Sequence, residues 1–147
     1  MDNNFKPLFP KALDLDQLIF KIGEVSKILN VSARQLRYWE QRGYIQSIRS
    51  NSYSSRVFDM KNFMCANLMK YYLDKGFTLS VAHESAKKNL DNMKFIRKFM
   101  THSFQGIENI NNHPAVNLGY FDKEKKKLLY GFIDEENNIS YKVLKND

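Results

Sequence analysis

The chain has 147 residues, of which 43% are hydrophobic, 27% charged and 14% aromatic. That length holds one domain of ordinary size or two small ones and excludes an elaborate multidomain enzyme, while 11 Phe and 8 Tyr supply a core that disordered chains lack. Lysine and arginine outnumber aspartate and glutamate by 23 to 16, and this net +7 favours a polyanionic partner. One cysteine, Cys65, cannot form an internal disulfide, which sets aside disulfide scaffolds and zinc fingers and fits a reducing cytosol. No apolar run approaches the ~18 residues of a membrane span, and the N-terminus carries charges where a signal peptide would be apolar. The expectation is a cytoplasmic protein without a membrane partner.

Residues 1–19 contain Pro7 and Pro10 and no sustained periodicity, so an irregular extension is expected there. Residues 20–88 read as short helices separated by turns. The first is predicted from Glu24 to Leu29, with Val25, Ile28 and Leu29 on its apolar side. The second opens at Ser32, which with Gln35 makes the S-x-x-Q box that satisfies free amides at a helix start, and it stops at Gly43. Only Asn30 and Val31 lie between the two, which is a helix-turn-helix signature.

Tyr44 to Phe58 is too rich in Ser and Asn for a helix and predicts a two-stranded ribbon with a polar tip at Ser50 to Ser55. A third helix is expected from Asp59 to Gly76, and Thr78 caps a fourth that contains Val81, Ala82 and Ala86. Leu90, Met93, Ile96, Met100 and Phe104 continue its apolar stripe. They mark residues 89–106 as a connecting helix for dimerisation, because so small a chain would otherwise leave them partly exposed. Residues 113–147 change to an alternating period in VNLGYFD, LLYGFID and ISYKVL, which predicts a three-stranded antiparallel meander. Placing Tyr120 opposite Tyr130 sets Leu118 opposite Phe132 and Gly119 opposite Gly131. On this register Leu118, Tyr120, Leu128, Tyr130, Phe132, Ile139, Tyr141 and Val143 share one face. The fold class is mainly α with small β: a winged helix-turn-helix, a connecting helix and a C-terminal three-stranded meander.

The charge is concentrated. Between residues 34 and 56, five arginines (Arg34, Arg37, Arg42, Arg49 and Arg56) face a single acid, Glu40, whereas residues 107–147 are nearly neutral. Arginine offers a forked donor set suited to phosphate and to base edges. At 100 degrees per residue, Arg34, Arg37, Tyr38 and Gln41 fall within an arc of about 100 degrees, and Leu36 and Trp39 lie outside it. One side of the second helix is thus apolar, and the other carries residue types expected of a helix laid in a major groove. Cys65 lies within the third helix and reads as a packing residue. His83, His102 and His113 show no metal or catalytic spacing, and no cofactor is expected.

These motifs carry a resemblance. The segment FKIGEVSKILNVSARQLRYWEQRGYI, followed by SSRVFD and LDKGFTLSVA, resembles the N-terminal DNA-binding domain of the MerR family of bacterial transcription regulators over about residues 20–88. The resemblance implies a winged helix-turn-helix in which Arg34, Arg37 and Tyr38 meet DNA from the recognition helix and Arg56 meets phosphate from the wing. It also implies an N-terminal phosphate contact at Ser32, with Leu36 and Trp39 in the core and Glu40 as a structural hydrogen-bond or ion-pair partner. The expected DNA site is thus Ser32, Arg34, Gln35, Arg37, Tyr38, Gln41 and Arg56. Phe58 stands where the family usually has Tyr, and Ser55 where Gly is common. The tail departs further, since members usually continue into a long coiled-coil helix and an effector-sensing region.

The expected function is a regulator that binds double-stranded DNA sequence-specifically as a homodimer at a promoter or operator and distorts it, with RNA polymerase a further partner there. An architectural DNA-binding protein, excisionase-like or chromosome-anchoring and without small-molecule control, is the alternative. Enzyme function is not expected, since no nucleophile, base and orienting group assemble by motif. The effector, the target sequence and the sign of regulation are not legible.

Overall fold

A computed structural model describes residues 5–48 and 55–146. In chain order the elements are α1 (Phe9–Ala12), β1 (Ile19–Lys21), α2 (Ile22–Leu29), α3 (Ala33–Gln41), β2 (Val57–Asp59), α4 (Met60–Asp74), α5 (Leu79–Ser103), β3 (Gly106–Ile110), β4 (His113–Tyr120), β5 (Lys127–Ile133) and β6 (Ile139–Lys145). The chain divides into two compact units, Asp14–Phe95 and Met1–Leu13 together with Ile96–Asp147.

In the first unit, local chemistry sets the helix ends. Helix α2 starts two residues earlier than its apolar pattern predicts, because the Glu24 carboxylate accepts the Lys21 backbone N–H at 2.7 Å and closes a capping arrangement one turn back. It stops where Asn30 adopts a left-handed conformation, with φ 52°. Val31 is buried, and Ser32 then caps α3: its hydroxyl accepts from the Gln35 backbone N–H at 3.1 Å, and its own N–H donates to the Gln35 side chain at 3.0 Å. Gly43, at φ 74°, lets the chain leave α3 in a conformation that L side chains resist. Asp59 caps α4 by accepting the Asn62 N–H at 2.9 Å. The core gathers Val25 and Leu29 of α2, Leu36 and Trp39 of α3, Met69 of α4 and Ala86 of α5.

The expected ribbon between Tyr44 and Phe58 is described only at its base. Ile48 and Val57 make one antiparallel bridge, with the Ile48 N–H donating to the Val57 carbonyl at 2.8 Å. Strand β2, however, pairs along its length with β1, setting Phe20 opposite Phe58. The Phe20 ring also stacks on Phe63 with centroids 4.6 Å apart, and so draws the residues before α2 into the core. Arg49 and most of the polar tip, residues 50–54, lie outside the described residues.

The second unit holds a four-stranded antiparallel sheet in the order β3-β4-β5-β6, not a three-stranded one. The extra strand, β3, joins β4 through Asn111 and Asn112. Both have positive φ, 52° and 63°, as a two-residue hairpin turn demands. The register between β4 and β5 also differs from expectation. Asn117, not Tyr120, lies opposite Tyr130, Val116 lies opposite Gly131, and a bulge intervenes before Tyr120 pairs with Leu128. Gly119 occupies the bulge at φ 89°, and its N–H donates to the Asn117 side chain at 2.8 Å.

The bulge redistributes the faces. Tyr120, Leu128, Tyr130 and Phe132 share one side with Asn117 and Ala115, which are buried. Leu118, Ile139, Tyr141 and Val143 fall on the other, with Leu129 and Ile133. Residues 5–19 are less irregular than expected: Pro10 sits in the first turn of α1, where its fixed φ suits a helix. Phe5 and Phe9 pack on Phe104, the latter with ring centroids 4.3 Å apart.

Candidate nucleic-acid interface

Helix α3 presents two opposed sides. Leu36 is fully buried and Trp39 nearly so, which fixes the rotation of the helix. That rotation leaves Arg34, Arg37, Tyr38 and Gln41 exposed, the set that the helical arc groups together. Ser32 and Gln35 are exposed as well, but their polar atoms are engaged with each other at the helix start, so their first role is to cap. The turn from α2 to α3 consists of residues 30–32, short enough to hold the two helices as one motif.

Glu40 is on the same helix but faces inward, with its side chain 13% exposed. Its carboxylate takes the Arg56 Nε–H at 2.7 Å, the Ser47 backbone N–H at 3.1 Å and the Ser47 hydroxyl. Burial pushes this carboxyl up, but the Ser47 and Arg56 hydrogen bonds together with the Arg56 charge outweigh it and hold the group below its ordinary value. Glu40 therefore ties the segment after the helix, and the strand leading into β2, to α3 itself. Arg56 spends one donor on that tie and keeps its side chain 43% exposed.

Arg42 completes the cationic surface and is the residue that the arc criterion missed, since it lies one position beyond the end of α3. Its guanidinium stands 5.9 Å from the centroid of the Tyr44 ring, which itself stacks on His83 at 4.5 Å. The signal available in the sequence was the arginine count of the window, not the helical period. His83 is thus occupied by stacking, and the Nδ1 of His102 lies 2.8 Å from the Lys98 carbonyl. Cys65 is buried, and burial raises its thiol. Among the described residues no group of three His, Cys, Asp or Glu side chains could hold a metal ion, and no helix is long and apolar enough to cross a membrane.

Of the five residues expected to mediate dimerisation, Met93, Ile96 and Met100 are exposed on α5. Phe104 is buried against Phe5 and Phe9, and Leu90 packs on the core of the helical unit, so these two serve their own units. The exposed Phe95 and Phe99 belong to the same helix and were not singled out by its stripe.

Residues 20–89 match the model of a family described as MerR HTH family regulatory protein. No curated protein matches the chain. The matched stretch contains α2, α3, β2, α4 and the start of α5, and with them every residue of the exposed arginine-bearing face. Residues 20–89 are therefore a MerR-type helix-turn-helix domain, the kind found in DNA-binding transcription regulators.

Proposed function

We propose that this protein is a cytoplasmic, non-catalytic transcription regulator that binds double-stranded DNA sequence-specifically, acts as a homodimer at promoter or operator DNA and distorts that DNA where RNA polymerase engages it. The observation that carries the reading is the exposed set Arg34, Arg37, Tyr38 and Gln41 on α3, backed by buried Leu36 and Trp39. A rigid helix whose solvent side offers two forked cations, a phenol and an amide can place donors on base edges and phosphates together. Arg42 and Arg56 flank it as phosphate contacts. A single helix reads only a few base pairs, so a two-fold pair reading half-sites about 34 Å apart, or a multiple of that, supplies the needed specificity. Met93, Ile96 and Met100 are the helical residues assigned to that pairing.

Genome-wide mapping of bound DNA identifies the site, and a gel-shift titration on that duplex at fixed salt tests its reader. Arg37→Ala is expected to weaken binding by about 1 to 3 kcal/mol and to relax preference at one base position. Unchanged affinity and preference would remove α3 as the reading helix.

A further inference from the structure

The sheet of the second unit has one side that its own unit leaves open. Ile107, Ile133, Ile139, Tyr141 and Val143 are between 40% and 63% exposed there, and half-buried Leu129 stands among them. That is a contiguous apolar surface on which the register puts no acid. Charge is confined to its two ends. At one end Lys127 and Lys145 sit directly opposite each other on this same side, a like-charge cross-strand pair that is unfavourable in isolation. At the other, the turn between β5 and β6 carries Asp134, Glu135 and Glu136.

We propose that this open face is a self-association surface that takes the same face of a second copy, with the strands of the two sheets antiparallel. Where two sheets pack face to face with their strands roughly aligned, a two-fold axis in the interface plane can relate the copies in two ways. An axis along the strands lays lysine pair on lysine pair and acidic turn on acidic turn. An axis across the strands lays each lysine pair on the partner's acidic turn, twice per dimer. Charge therefore selects the second. It also selects a second copy over a foreign acidic partner, which would satisfy the lysine end and oppose the carboxylates of the other. The proposal deepens the dimer in the reading above by naming a surface for it, additional to α5.

Sedimentation equilibrium of the full chain over about 1 to 100 µM provides the test. Tyr141→Asp is expected to raise the dimer dissociation constant at least about tenfold with the circular dichroism spectrum unchanged. Lys127→Glu with Lys145→Glu should weaken the dimer, and Glu135→Lys with Glu136→Lys should do the same. All four together should restore it to within about threefold of the parent, because the swap preserves complementarity only between antiparallel copies. A Tyr141→Asp chain that associates like the parent, or a fourfold variant no better than its halves, overturns the proposal. DNA binding is scored separately by gel shift. A chain that dimerises through the sheet but ignores DNA sinks the regulator reading alone, and one that binds DNA with an unaltered Tyr141→Asp dimer sinks only the sheet face.

Discussion

Glu40 holds the chain after α3 beside that helix through its bonds to Ser47 and Arg56. Its folded value lies below the ordinary 4.5, so the stabilisation it brings is present above that pH and is lost as pH falls through the lowered value. We expect Glu40→Gln to cost about 1 to 3 kcal/mol at neutral pH, and its deficit against the parent to shrink as pH falls through the lowered value. Thermal melts from neutral to acid pH check this, and a deficit that persists unchanged in acid contradicts it. Arg56→Ala removes the proposed phosphate contact and leaves Glu40 with Ser47 alone among its described partners. All duplexes should weaken alike, and the salt slope should fall by about one. A melting curve taken alongside reveals the structural share.

Tyr130 gives the opposite sign. Burial and the 2.8 Å hydrogen bond to the Glu108 carboxylate push its phenol up to about 12. The neutral form is the stabilised one, so this contribution is complete below the ordinary value of 10 and disappears as pH rises towards 12. An absorbance titration should show a tyrosine ionising at about 12, and that step should vanish in Tyr130→Phe.

At the scale of elements, the helices were legible because their ends are written in side chains. Ser32, Asp59, Thr78 and Gly43 mark boundaries by satisfying or freeing specific backbone groups, and such signals act over three or four residues. Ser32→Ala should therefore cost about 1 kcal/mol and also weaken DNA binding by loosening the start of α3, as paired melts and gel shifts would show. The exposed arc of Arg34, Arg37, Tyr38 and Gln41 was legible for the same reason, since burial of Leu36 and Trp39 follows from local periodicity. Strand β3 escaped because it has five residues and little alternation, although Asn111-Asn112 is the turn chemistry that could have revealed it. The β4–β5 register escaped for a different reason. Matching tyrosine to tyrosine and glycine to glycine sets Tyr120 on Tyr130, two residues away from its observed partner Leu128, and the bulge at Gly119 adds one more residue of offset before Asn117 meets Tyr130. The packing of Phe5 and Phe9 on Phe104 joins positions about 95 residues apart in sequence, beyond the reach of any periodicity.

For the whole molecule, the arginine-rich window lies in the helical unit and the nearly neutral tail in the sheet unit. Salt should act mainly on DNA affinity, with the affinity falling steeply as counterion release is suppressed. A truncation meant to remove the sheet must start at Gly106, since cutting at His113 leaves β3 without the neighbour it pairs with. The sheet's linear order, β3-β4-β5-β6, has a consequence for synthesis. Each strand pairs with the one made just before it, so the growing sheet always ends in the newest strand. Until residues 139–145 leave the ribosome, β5 is that terminus, and its KLLYGFI run offers an uncovered backbone edge to any neighbouring nascent chain. Products that stop after Asp134 should thus accumulate in the insoluble fraction while the full chain stays in solution, and β6 acts, in that sense, as the chain's own chaperone.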